Sequence, residues 1–336
     1  MFRMSATVLN SALFGKQLQL CLGSGNSVQP RPSVSETLTC DVNSRAARDL
    51  ASRVQFVWCK MMLHANSMNG YFALDERECA ELGRSLSQQY RNASPFPHIV
   101  IDDFVEPEVL RSVLRDFPSS KDKGFFDRDQ ERLKFQYHPQ EVASGAIRSL
   151  FAELNSAAFL GLLENLTGID GLISDPHYSG GGLHETKRGG HLGIHADFNV
   201  HGRLKLERRI NLLIYLNEDW PDDYGGELEL WDRGMRECVV RVKPVFGRAV
   251  IFNTALDSYH GHPEPVRCPA DRSRRSIATY YYTAVEEGLA ALPKRTTNFQ
   301  ARPQSRDRTD WEIRRHHFVN DWVPPKLQRF VHRLIR

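Results

Sequence analysis

The chain has no apolar run approaching the roughly 18 residues that a membrane-spanning helix needs, so a spanning segment is excluded. Its six cysteines (Cys21, Cys40, Cys59, Cys79, Cys238 and Cys268) contain no CxxC pair. A chain of 336 residues does not need a disulfide framework, so reduced thiols and a cytoplasmic setting are expected. Charge of one sign is also scarce: 44 Lys+Arg face 41 Asp+Glu, and a net +3 is too small to demand nucleic acid. Glycine (23) and proline (17) are near average usage, which excludes collagen-like and low-complexity classes. No internal repeat is present.

What remains is ordinary for a globular protein, with 41% apolar and 25% charged residues and length enough for a packed core. The basic excess is uneven. Lys294 to Arg336 holds 11 Lys+Arg and 4 Asp+Glu, a solvated basic extension that can also meet an anionic partner. Residues before Glu36 carry Arg3, Lys16 and Arg31, many serines and no acid. That composition resembles a transit peptide, but no apolar stretch with a small-residue cleavage site follows, so a flexible tail over 1–45 is expected.

Helical spacing over Ala46–Leu63 and Asp75–Tyr90, with Asp75 placed as a cap, predicts a helical preface over 46–91. A new unit, 92–290, begins with the β-rich Phe96–Ile101. Pro107 then suits the first turn of a helix, and another helical region spans about Glu141–Leu166. After Gly168 the texture changes to short β-rich runs: Leu172–Ser174, Gly190–His195, Ile210–Leu216, Glu227–Trp231, Val239–Val242, Ala249–Phe252 and Ser276–Thr283. Turn signals at Gly180-Gly181-Gly182, Gly225-Gly226 and Pro263–Pro265 separate them. Flanking helices and many short strands predict a mainly β protein with a sandwich, jelly-roll or small-barrel core. A basic C-terminal extension over 291–336, with a helix near Lys326–Ile335, completes the expected organisation.

Three places concentrate chemistry. In His195-Ala196-Asp197, residues two apart on a strand face one side, so an imidazole and a carboxylate can meet one ion. In Tyr259-His260-Gly261-His262, a histidine just beyond a strand can complete a three-ligand face. Two imidazoles and one carboxylate with open positions suit non-heme Fe(II). In Arg272–Ala278, strand phase puts Arg274, Ser276 and Ala278 on one face and Arg275 and Ile277 on the other. A core-facing guanidinium needs a partner, and a bound dicarboxylic acid would supply one in two-pronged geometry. Each motif alone also has a plain reading: chance neighbours on a strand, turn histidines, a basic strand edge.

Taken in order, HxD, a distal His and Arg-x-Ser form the pattern of Fe(II)/2-oxoglutarate dioxygenases. The chain resembles the prolyl 4-hydroxylase-like branch of that family over roughly residues 92–285. The matching stretches are Phe96–Asp102, His195-Ala196-Asp197-Phe198, Arg209–Asn217, Gly225-Gly226-Glu227-Leu228, Ser258-Tyr259-His260 and Arg274-Arg275-Ser276. The resemblance implies a double-stranded β-helix (jelly roll) holding Fe(II) on His195, Asp197 and His260. It implies Arg274, with Ser276 beside it, as the anchor for the distal carboxylate of 2-oxoglutarate, and Tyr178 as a further hydrogen-bond donor to that carboxylate. A buried aromatic with a satisfied hydroxyl is the alternative for Tyr178. O2 is the other co-substrate, and ascorbate the expected reductant. Halogenating relatives lack the carboxylate at the position of Asp197, so hydroxylation is implied, with succinate and CO2 released. The substrate is a peptidyl proline or a small molecule.

His262 competes with His260, and Arg275 with Arg274. The family's Ser-aromatic-His pattern and the Arg-x-Ser phase favour His260 and Arg274. His184, His191 and His201 are expected at the surface or rim, and Trp231 in the sandwich. Two other classes remain: a metal-binding jelly roll without turnover, and a cupin-like metal isomerase or hydrolase, which needs neither Arg274 nor O2.

Overall fold

Two-residue alternation sorts the side chains of the β-rich half into two faces, and each face finds its own partner. On the Ile210–Tyr215 run, Ile210, Leu212 and Ile214 face a core shared with helices, while Leu213 and Tyr215 face the barrel interior. The computed structural model describes residues 59–60, 63–68, 71–118, 126–128, 130–285, 296–311 and 313–314.

In chain order the elements are β1 (Cys59–Lys60), β2 (Ala65–Met68), β3 (Tyr71–Leu74), α1 (Glu76–Arg91), β4 (His98–Asp102) and α2 (Pro107–Arg115). Then come β5 (Phe126–Arg128), β6 (Glu131–Tyr137), α3 (Gly145–Glu153), α4 (Ala157–Thr167), β7 (Ile173–Ser174) and β8 (Gly182–Ala196). The barrel is completed by β9 (Glu207–Tyr215), β10 (Leu228–Trp231), β11 (Cys238–Val242), β12 (Ala249–Asn253), β13 (His260–His262), β14 (Ser273–Thr283) and β15 (Asn298–Phe299). The strands pair in the order β1-β4-β12-β9-β14-β8-β13-β10-β11, and all neighbours are antiparallel except β1 with β4. β5 pairs with β6, β6 and β15 pair with β8, and β7 pairs with β14. This is the jelly-roll, double-stranded β-helix architecture expected from the sequence.

β8 is the strand that links the two halves of the site. Its first half pairs with β14, from Gly182–Ala278 to Lys187–Ser273, and its second half pairs with β13 and β15. Between them Gly189 takes φ +81°, a conformation that a side chain resists.

Local signals place the helices. Asp75 Oδ1 accepts the backbone N–H of Arg77 and Glu78, both at 2.9 Å, at the start of α1. Pro107 opens α2. The single helical region expected over 141–166 is two helices bent by 45°, because Ser156 Oγ accepts the N–H of Phe159 and starts α4 afresh. Both helices bury apolar residues in the core, and among the described residues no single helix is long and apolar enough to cross a membrane.

The expected helix over Ala46–Leu63 needs correction at its end. Cys59–Lys60 is a strand alongside Ile101–Asp102 of β4, and Leu63 bridges Val105. The β4 edge supplies hydrogen bonds that override local helical spacing. The start of that helix, the N-terminal tail and the helix near Lys326–Ile335 lie outside the described residues. The β2–β3 pair falls inside the expected helical preface, and neither β5 and β6 nor the pairing of β15 with β8 is among the expected elements. Cys79, Cys238 and Cys268 are free thiols.

Gly83 sets the approach of α1 to α4. A Cβ there would sit 2.4 Å from the Leu162 carbonyl oxygen and 2.9 Å from Asn165 Cβ. In an exposed helix Gly→Ala stabilises; here the backbone must move. Gly83→Ala is therefore expected to destabilise by about 1–3 kcal/mol, read from urea unfolding of wild type and variant.

Candidate active site

His195 and Asp197 sit at the end of β8, and His260 opens β13 directly opposite His195. Each histidine ring is oriented by its own backbone. His195 Nδ1 lies 2.9 Å from the Gly193 carbonyl, and His260 Nδ1 lies 3.0 Å from that of Ser258. An Nδ1–H donated to a carbonyl leaves the lone pair on Nε2, the tautomer that binds a metal. The two Nε2 atoms lie 3.6 Å and 3.4 Å from Asp197 Oδ1 and Oδ2, with ring centroids 4.5 Å apart. Donor atoms of the three residues all fall within 4.8 Å of one another. His262 is not in that cluster.

The Asp197 carboxylate is held from behind. Asn211 Nδ2 donates to Oδ2 at 2.8 Å, and Arg208 reaches the same oxygen at 3.1 Å. Arg208 is itself buried: it donates twice to Asn211 Oδ1 at 2.9 and 2.7 Å and lies 3.5 Å from the Tyr280 ring centroid and 4.6 Å from that of Phe198. Burial opposes ionisation of Asp197, but the Arg208 charge, followed by His260 and His195, holds the carboxyl well below its ordinary range. Burial moves His260 the other way, down to about 4, against the pull of Asp197. At neutral pH His260 is neutral beside an anionic carboxylate. Phe252 and Phe299 wall the two imidazoles, with centroids at 4.7 Å from His260 and 5.3 Å from His195. Two imidazole nitrogens and one carboxylate on one face fit a ferrous ion with cis positions left open.

The second half of the site is Arg274 on β14, 5% exposed. Its Nε donates to the Gly226 carbonyl at 2.7 Å, and Nη2 lies 3.4 Å from the Tyr215 hydroxyl. Gly226 adopts φ +77°, and a Cβ there would press to 3.0 Å on Arg274 Cδ, so the Gly225-Gly226 turn admits the guanidinium. Burial lowers the Arg274 pKa, and Tyr215 and Glu227 draw it back. Among the described residues no carboxylate forms an ion pair with Arg274, so this buried cation fits the distal carboxylate of a keto diacid. Ser276 shares the face and is buried. Arg275 points to the opposite face, over the Phe117 ring and toward Glu185, as strand phase predicts.

Tyr178 is not beside Arg274. Its hydroxyl accepts from Asn155 Nδ2 at 3.2 Å, and its ring packs on Phe151 and His138 on the helix side of the sheet. Its chain position just before the glycine run concealed this; Tyr215, at the end of β9, is the tyrosine that reaches Arg274. Two histidines expected at the rim are buried. His184 faces the interior opposite Ser276, with Nε2 3.1 Å from the Gly180 carbonyl. His201 accepts the N–H groups of Arg203 and Leu204 and lies 3.3 Å from Asp175. His191 is half-buried, opposite Arg132. Arg208 and Asn211 were missed as well. The signal was present, since Arg209–Asn217 was singled out and both lie on or beside that run, but their partner Asp197 is on another strand.

Residues 181–282 match the family model of the 2OG-Fe(II) oxygenase superfamily. The chain thus carries a dioxygenase domain of that superfamily and is an oxidoreductase. Among solved structures it is similar to a prolyl hydroxylase from Trichoplax adhaerens in complex with a hypoxia-inducible-factor oxygen-degradation-domain peptide fragment. That match has 18% identity, covers 65% of this chain and 96% of that one, and has a TM-score of 0.47. A Pseudomonas putida prolyl-4-hydroxylase matches at 17% identity, covering 60% and 99%, with TM-score 0.43. One of the Phytophthora capsici prolyl 4-hydroxylases matches at 19% identity, covering 78% and 79%, with TM-score 0.44. No curated protein matches the sequence.

The Arg208 clamp generates a prediction. Arg208→Gln leaves Asp197 without its countercharge and is expected to weaken Mn(II) or Fe(II) binding about 10- to 100-fold in a metal titration. Arg203→Gln, at an exposed position just before β9, should leave it unchanged.

Proposed function

We propose that the chain is an Fe(II)- and 2-oxoglutarate-dependent hydroxylase acting on a C–H bond of a peptidyl proline or a small molecule, with succinate and CO2 as co-products. The observation that carries this reading is the pairing of two features in one barrel interior. One is a His195/Asp197/His260 face; the other is a buried Arg274 that, among the described residues, has no carboxylate of its own. A cupin-like isomerase or hydrolase has no use for the second feature. The sequence motifs shared with the prolyl 4-hydroxylase-like branch support the proline option.

His195, Asp197 and His260 hold the metal. When bound, iron supplies oxygen activation coupled to oxidative decarboxylation of 2-oxoglutarate, with ascorbate as reductant. The chain's own residues do the rest. The carbonyls of Gly193 and Ser258 keep both imidazoles in the binding tautomer. Arg208 and Asn211 fix the Asp197 carboxylate and keep it anionic. Arg274, with the Tyr215 hydroxyl and Ser276 nearby, takes the distal carboxylate of the co-substrate. Phe252 and Phe299 flank the metal face and limit water there.

Incubation with Fe(II), ascorbate and 2-oxoglutarate, with and without a panel of proline-containing peptides and metabolites, tests the activity. Substrate-stimulated succinate is expected, and its absence across the panel with iron bound would favour a scaffold without turnover. His195→Ala and Asp197→Ala should reduce metal binding to background, measured by metal content after desalting. Arg274→Ala should keep the metal and raise the 2-oxoglutarate concentration for half-saturation about 10- to 100-fold. Arg275→Ala, on the other face of β14, should leave that concentration unchanged.

A further inference from the structure

β13 carries two histidines on one face, and only one of them belongs to the metal cluster. His262 is 3% exposed, and its Nδ1 is shielded from solvent with no hydrogen-bond partner among the described residues. Buried polar atoms are rarely left unpaired, and such an orphan commonly marks a ligand contact. Its place in the barrel is specific. His262 stands opposite Leu192 on β8, between His195 at one end of that strand and Thr186, the register partner of Arg274, toward the other. Arg274 on β14 and Lys134 on β6 both pair with Thr186, so they are the cations of this stretch of β8. Lys134 is held to Glu131 at 2.8 Å, whereas Arg274 has no ion-pair partner among the described residues.

We infer that His262 is a co-substrate-binding residue, donating a hydrogen bond to the distal carboxylate of 2-oxoglutarate beside Arg274. The inference rests on the proposed use of Arg274 and adds a residue to it. Arg274 already gives Nε to Gly226 and sets Nη2 near Tyr215. A carboxylate has about four acceptor sites, more than one guanidinium edge fills, and a neutral imidazole has one N–H to offer. His184, buried opposite Ser276, is engaged with the Gly180 carbonyl. The side chain therefore distinguishes a 2-oxo diacid from a 2-oxo monoacid of the same length.

The test is anaerobic titration of the Fe(II)-loaded protein with 2-oxoglutarate and with 2-oxopentanoate, which lacks the distal carboxylate. Binding is read from the visible charge-transfer band that a chelating 2-oxo acid produces on Fe(II). His262→Leu should keep its metal content, bind 2-oxoglutarate roughly 10-fold more weakly, and bind 2-oxopentanoate as wild type does. His262→Asn, whose amide nitrogen can take the place of Nδ1, should recover part of the loss. Thermal unfolding of both variants shows that the fold is kept. Unchanged 2-oxoglutarate affinity in His262→Leu overturns the inference, as does an equal loss for both ligands. Loss of iron would make His262 a metal ligand instead. Failure of wild type to bind 2-oxoglutarate at all would overturn the reading of Arg274 as well, which separates the two ideas.

Discussion

The site depends on keeping one carboxylate ionised inside a protein barrel. Taking a carboxylate from water is costly unless charge and hydrogen bonds replace its hydration. At Asp197 that replacement comes from Arg208 and Asn211 on β9, which neighbours β14 and β12 and not β8. Arg208 carries the same problem one step outward, and the faces of Tyr280 and Phe198 meet it. Two aromatic rings thus hold a guanidinium, the guanidinium holds a carboxylate, and the carboxylate presents an anionic donor beside two imidazoles. Each group is desolvated only because the next one is in place.

The second buried cation follows a different logic. Arg208 is neutralised by Asp197; Arg274, on the same face of β14 as Tyr280, meets no ion-pair partner among the described residues. Strand alternation explains how both fit with an intact core. Ile277 and Tyr281 point to the helices, while Arg274 and Ser276 point to the interior. A slip of one residue in the β14–β9 register would exchange these sets and turn Ile277 and Tyr281 out of the helix-side core. The helix-side core therefore protects the register on which the chemistry relies.

Much of this was legible in the chain. His-x-Asp and Arg-x-Ser are local patterns, and two-residue periodicity puts their members on one face. Asp75 and Pro107 announce helix starts through their own backbone chemistry. β6 is also legible: in Arg132–Tyr137 the apolar Leu133, Phe135 and Tyr137 alternate with Arg132, Lys134 and Gln136. Other features were not written locally. Cys59–Lys60 lies in a segment of helical spacing and becomes a strand because the β4 edge is there to bind it. Tyr178 stands where a site tyrosine is expected in the sequence, but its hydroxyl is taken by Asn155 on the far side of the sheet.

The amino-acid order alone determined which residue types could meet, the pairing of His195 with Asp197 and of Arg274 with Ser276, and the β-rich architecture, because these follow from a period that acts over two residues. Tertiary structure decided which distant groups complete the site. The pairing of β13 with β8 sets His260, not His262, opposite His195, and the end of β9 brings Tyr215 rather than Tyr178 to Arg274. Those choices depend on the register between strands tens of residues apart. Register is a property of the packed sheet, since the pairing that buries both faces well is selected only when all the strands are present.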